Sequence, residues 1–167
     1  MSAIRTLRTN RKGFTLVEIL IVVIILGILA AIVIPQFTSA STDARKNSLT
    51  SQLQTVRSQI ELYKLQHNDN LPDFTNKVWE QMTAQTDVSG DTQAASGKDF
   101  GPYLQQAPVN SLNQKTGVVV VTADPANIAT STVTAGSGFV INTTNGKVWA
   151  TNQDSQYYYD ESTGTIK

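Results

Sequence analysis

The sequence predicts an α+β fold: one long N-terminal helix packed on a small C-terminal antiparallel β-sheet. Three observations carry this. An apolar block fills residues 14–34. A stripe of Leu49, Leu53, Val56, Ile60 and Tyr63 follows it at helical spacing. Two β-branched runs flank Asn145-Gly146 near the C-terminus. Helical signals first and strand signals afterwards place the helix against an antiparallel sheet rather than inside a βαβ array.

The elements follow in order. Residues 1–13 are a basic leader without apolar periodicity. Residues 14–34 span 21 positions with one charge, Glu18. At about 1.5 Å per residue that is roughly 32 Å of helix, close to a bilayer's hydrocarbon thickness. Helix is the backbone state that satisfies itself in lipid. Gly27 and Pro35 are its weak points, and Pro35 removes a donor and predicts a bend or local melting. The stripe at 49–63 recurs at spacings of four and three, which is one face of an amphipathic helix. Arg57 and Glu61 stand four apart on the other face, where they can pair. Two heptads are too few for a coiled coil, so the stripe faces the chain's own head. Asn68-Asp69-Asn70-Leu71-Pro72 ends the helix near His67.

The head begins at residue 68. Residues 77–82 suit a short helix and 86–97 a polar loop. Val118–Val121 reads as a strand between Gly117 and Asp124-Pro125. Residues 139–143 and 147–151 flank Asn145-Gly146, whose residue types tolerate the positive φ of a tight hairpin. Tyr157-Tyr158-Tyr159 and Thr165-Ile166 suggest a second hairpin. The organisation is thus leader 1–13, membrane helix 14–35, amphipathic helix 36–67 and head 68–167.

Composition narrows the function. The chain has 167 residues, no cysteine and zero net charge. Neither a disulfide nor a thiolate metal site can form. The zero hides an asymmetry: Arg5, Arg8, Arg11 and Lys12 precede Phe14 with no acid among them. That leaves nine basic against 13 acidic residues from Phe14 on, a charge of −4. The basic end stays cytoplasmic and the head is exported. An acidic head disfavours nucleic acid. A Sec signal peptide fits poorly, because the apolar run exceeds the usual ~7–15 residues and lacks an A-x-A end. An uncleaved anchor is the alternative from hydropathy alone. No nucleophile–base pair, phosphate loop or ligand cluster is recognisable, so the chain is not read as an enzyme. His67 reads as a capping or surface residue, and Trp79 and Trp149 as core.

The run Lys12-Gly13-Phe14-Thr15-Leu16-Val17-Glu18, set at a charge boundary, resembles the processing site of type IV pilin-class proteins. The architecture of helix and sheet is similar to the pilin fold along the whole chain. The resemblance implies that a prepilin peptidase cuts between Gly13 and Phe14, and that Phe14 becomes an N-methylated terminus. It implies that Glu18 guides assembly and that Pro35 marks a helix bend. A small head without a Cys pair, together with Gly101-Pro102-Tyr103-Leu104 and Pro108, resembles the major pseudopilin of type II secretion. The implied function is a structural pseudopilus subunit that polymerises through its N-terminal helix to support secretion. A type IV pilus subunit for adhesion, motility or DNA uptake is the alternative. The implied partners are copies of itself, the peptidase, other pseudopilins or pilins, and an inner-membrane assembly platform. The implied location is a single-pass inner membrane protein with a cytoplasmic N-terminus, later part of a periplasmic or surface filament.

Two departures stand out. Where that family continues Asp-Pro-Trp-Gly after the Pro, this chain has Val109-Asn110-Ser111-Leu112. The family's calcium loop is not recognisable either. Asp154, Asp160 and Glu161 are oxygen donors in the right region, but acids there serve a solvated surface as readily. No cofactor or metal is therefore expected, with calcium in the head as the one alternative. The bland reading of Glu18 is a carboxylate favoured by the dipole of its own helix start.

Overall fold

The structure, a computed structural model, describes residues 13–128, 131–134 and 136–164. The basic leader before Gly13 and the Thr165-Ile166 half of the second hairpin lie outside the described residues. The chain divides into two compact units, Met1–Ser41 and Thr42–Lys167.

Helix α1 spans Leu16–Gln66 and runs unbroken through both Gly27 and Pro35. Pro35 has no N–H to give Ala31. Just beyond it, Thr38 Oγ1 donates to Ile34 O (3.1 Å) and Ser39 Oγ to Pro35 O (3.2 Å). Such back-bonding satisfies carbonyls where the ladder is weakened. In the first unit the apolar side chains are exposed, from Phe14 at 84% to Phe37 at 72%. This helix is long and apolar enough to cross a membrane.

In the second unit the expected stripe is the buried face: Leu49, Leu53, Val56, Ile60 and Tyr63. It packs on Phe139, Ile141, Val148, Ala150 and Tyr159, with Trp79 and Met82 in the same core. α1 stops where expected, because Asn68 and Asp69 adopt φ of 53° and 64°. These left-handed residues turn the chain, and Asp69 N–H donates back to Lys64 O (2.9 Å). The second helix, α2, covers only Glu80–Thr83. Val78, at φ 46°, prevents the earlier start that residues 77–82 suggested.

The strands are β1 (Val118–Val121), β2 (Phe139–Asn142) and β3 (Val148–Ala150), in the order β1-β2-β3. The sheet is mixed, where a wholly antiparallel one was expected. β2 and β3 form the predicted hairpin, pairing Phe139 with Ala150 and Ile141 with Val148. β1 instead pairs β2 in parallel, Val118 with Phe139. Residues 122–138 make the crossover, and parallel neighbours need a connection of about a dozen residues or more.

The hairpin turn also differs from the tight two-residue form. Asn142 N–H donates to Lys147 O (2.9 Å), leaving four residues between them, and Gly146 N–H returns to Asn142 O (2.8 Å). Gly146 has φ 75°, and a Cβ there would meet Leu71 Cδ2 at 2.7 Å. The left-handed backbone therefore favours glycine, and a side chain there would also have to displace the end of Leu71.

β2 is buried on both faces. Phe139 and Ile141 face α1, while Val140 joins Trp149 and Tyr158 in a second cluster with Val121, Ile128 and Val133. The tyrosine run alternates as a strand should: Tyr158 enters that second cluster and Tyr159 the main core. Tyr157 and Tyr158 make isolated bridges to Thr132 and Thr151.

Asp124 latches the turn. It accepts from Asn142 Nδ2 (2.6 Å) and Asn145 Nδ2 (2.9 Å) and pairs with Lys147. The bond from Lys147, then that from Asn145, holds the carboxyl down to about 2. A depressed acid stabilises the fold above its unfolded value and loses that contribution as pH falls through the folded one. Asp124→Asn should therefore melt below the native chain at neutral pH. The gap should close between about pH 4 and 2, as thermal unfolding across that range would read.

Candidate functional site

The first site lies where the chain enters α1. Gly13, Phe14 and Thr15 are not helical, and the helix begins at Leu16. Thr15 sets that start. Its N–H and its Oγ1 both donate to Glu18 Oε2, each at 2.9 Å. Glu18 N–H donates in return to Thr15 Oγ1 (3.2 Å). This reciprocal arrangement is a capping box: it satisfies orphan donors of the first turn with the carboxylate at the third helical position. Thr15 is the residue the sequence reasoning missed. The Thr-x-x-Glu spacing, a capping-box signature, was the signal for it.

The geometry assigns distinct chemistry to each position. The Gly13–Phe14 bond precedes the helix, so its backbone is not locked in the helical ladder. A side chain built on Gly13 would meet nothing within 4 Å among the described residues. If that bond were cut, Phe14 would carry an α-amine with an ordinary pKa of about 8, cationic at neutral pH. Glu18 offers a carboxylate four residues away, the one charge in the apolar stretch 14–34. An ionised group in lipid favours a partner of opposite charge. The helix-start reading of Glu18 and a pairing role are compatible, since the capping bonds use one carboxylate oxygen.

The head holds the remaining sequence candidates. His67 is buried at 1% exposure, which corrects the surface half of its reading. It stacks on Tyr63, with ring centroids 3.7 Å apart and planes within 3°. Its Nδ1 lies 2.8 Å from Tyr63 O and its Nε2 2.9 Å from Thr86 Oγ1. A carbonyl only accepts, so Nδ1 carries the proton and caps the helix end. Trp79 is core, with Nε1 donating to Thr116 O (2.7 Å).

Arg57 does not pair with Glu61. It reaches Glu161 in a bidentate bridge, with Nη1–Oε2 at 3.0 Å and Nη2–Oε1 at 2.9 Å. Its Nε also donates to Val148 O (3.1 Å). Glu61 pairs with Lys64 instead. The partner 104 residues away in sequence meets the guanidinium fork with two parallel bonds.

That pairing bears on calcium. Glu161 faces a fixed cation. Asp160 accepts from Ser162 and Thr163, which hold its carboxyl below the usual range. No group of three acidic or histidine side chains able to hold a metal ion occurs among the described residues.

The departure at 109–112 is structural. Asn110 is fully buried; its Nδ2 donates to Gly138 O (2.8 Å) and Thr151 O (2.9 Å), and its Oδ1 accepts from Leu112 N–H (2.8 Å).

Comparison with known proteins bears on both ends. The family described as the prokaryotic N-terminal methylation motif matches residues 8–34. The type II secretion system core protein G of Pseudomonas aeruginosa is 40% identical over 104 residues, 62% of this chain and 69% of that protein. The protein of the same name from Dickeya chrysanthemi is 37% identical over 59 residues, 35% of this chain and 39% of its own length. The type IV major pilin protein PilE of Neisseria gonorrhoeae is 27% identical over 122 residues, 73% of this chain and 62% of that pilin. This chain thus spans less than two thirds of the latter two. No solved structure matches it.

Proposed function

The chain belongs to the type IV pilin-like family of the type II secretion system core protein G, the major pseudopilins, and from that membership we propose that it is the structural subunit of a type II secretion pseudopilus. Members of that family are filament subunits, not enzymes. Its N-terminal apolar helix fits a single-pass membrane protein.

The proposed mechanism is assembly. The basic leader holds the N-terminus in the cytoplasm and the head crosses. A prepilin peptidase cuts between Gly13 and Phe14, and Phe14 is N-methylated. The new amine pairs with Glu18 of a neighbouring subunit, in lipid where either charge alone is costly. Apolar helix packing and head contacts build the filament, with Pro35 as the place where the helix bends or melts. The peptidase, other pseudopilins or pilins and an inner-membrane platform are the partners, and the filament supports secretion.

One observation carries this reading: a non-helical Gly13–Phe14 junction followed at once by a helix whose first turn holds a carboxylate. A type IV pilus subunit, for adhesion, motility or DNA uptake, is the second reading. The breadth of the gonococcal match favours it, while the higher identity to core protein G keeps it second. The mass of the mature protein tests the class. A chain starting at Phe14, heavier by one methyl, is expected. A chain retaining Met1, or one cut after residue 34, would refute the processing step.

A further inference from the structure

The C-terminal end of the head is held by nitrogen donors from inside the chain. Asn113 Nδ2 stands among four oxygens: Thr151 Oγ1 at 2.7 Å, Ser155 Oγ at 2.9 Å, Asn152 O at 3.1 Å and Ser137 O at 3.2 Å. The amide is oriented by its own Oδ1, which accepts from Lys115 N–H (3.0 Å). A primary amide has two protons, so four acceptors at this range form a cage around it rather than four separate bonds. Two carbonyls and two hydroxyls converging on one point are the ligand chemistry of a hard cation. Here the positive end of an amide dipole fills the point. The cage draws the 110–115 loop, the approach to β2 and the 151–155 turn together.

Six residues past that turn, a second nitrogen group takes over. Arg57 binds Glu161 through two parallel bonds and anchors it to Val148 O on β3. A nitrogen donor, the neutral amide of Asn113 at one point and the charged guanidinium of Arg57 at the other, therefore stands at two points along the chain after β3. The acid nearest a calcium role is neutralised by the guanidinium.

We propose that Asn113 and Arg57 replace a bound cation in this chain. They close the segment after β3, so the head folds and stays closed without calcium, whose loop in the major pseudopilin family is not recognisable in this sequence. The proposal concerns head closure alone and does not depend on the machine the filament serves.

The test uses the full-length protein in detergent, with excess EGTA or with about 1 mM calcium chloride, near the weak end of protein calcium sites. Two readouts are taken: the thermal midpoint, and the rate of limited proteolysis within residues 151–164. The wild-type chain is expected to give the same midpoint and rate in both conditions. Asn113→Leu keeps the volume and removes the donor, and Arg57→Gln removes the charge and the fork. Each should be cleaved about 10-fold faster or more, as expected when a local hydrogen-bonded closure is lost. Calcium should restore neither variant. If Asn113→Leu yields no folded head, Arg57→Gln decides by the same two readouts. A calcium-dependent rise in the wild-type midpoint, calcium rescue of either variant, or wild-type cleavage rates in the folded variants would overturn the proposal.

Discussion

Glu18→Gln is expected to insert in the membrane, to be cut after Gly13, and still to be almost absent from filaments. The substitution is chosen because glutamine serves a capping box as well as glutamate does. Thr15 can still be capped and α1 can still begin at Leu16, so the change isolates the charge. Glu18→Ala removes both the cap and the charge. Taking one partner from a charge pair out of water costs about 3–5 kcal/mol, because the other charge is left unpaired. Repeated at each subunit contact, that is about 100-fold or more per contact. Filament yield by shearing or crosslinking should collapse for both variants, with membrane content unchanged. Normal incorporation of Glu18→Gln would show that the carboxylate serves only to start its own helix.

Gly13→Leu should do the opposite, blocking processing while leaving the protein folded. A side chain at Gly13 would meet no atom of the described residues within 4 Å. Nothing among the described residues therefore demands glycine there. Any demand must come from an enzyme that accepts the backbone beside the cut. Misplacing a scissile bond by about 1 Å can cost 10²-fold in rate. The uncut precursor should accumulate, with the mass of the whole leader retained. Because an uncut chain has no amine at Phe14, its filament yield should fall as far as that of Glu18→Gln. Efficient cleavage of Gly13→Leu would remove the basis for reading Gly13 as a recognition residue.

Much of this is legible in the sequence. The stripe of Leu49, Leu53, Val56, Ile60 and Tyr63 is the buried face of α1. The residues beyond His67 end the helix, and the β2–β3 hairpin sits where Asn145-Gly146 placed it. Each signal is local: a repeat of 3.6 or 2, or a residue whose own backbone preference ends an element. Thr15 is equally legible, because its Thr-x-x-Glu spacing from Glu18 is a local capping signal.

What the sequence by itself determined, then, is a chain with one membrane-length helix, an amphipathic continuation, a C-terminal hairpin and a charge boundary at Gly13. Only the tertiary structure decided that β1 joins β2 in parallel, that His67 is buried against Tyr63, that Arg57 takes Glu161 over Glu61, and that Asn113 sits among four oxygens. The physical reason is range. Periodicity and turn propensity act over a few residues, and the chain carries them wherever it goes. A parallel strand, a burial site or an ion-pair partner is chosen among groups tens of residues apart. Which of them meet depends on how the whole core closes.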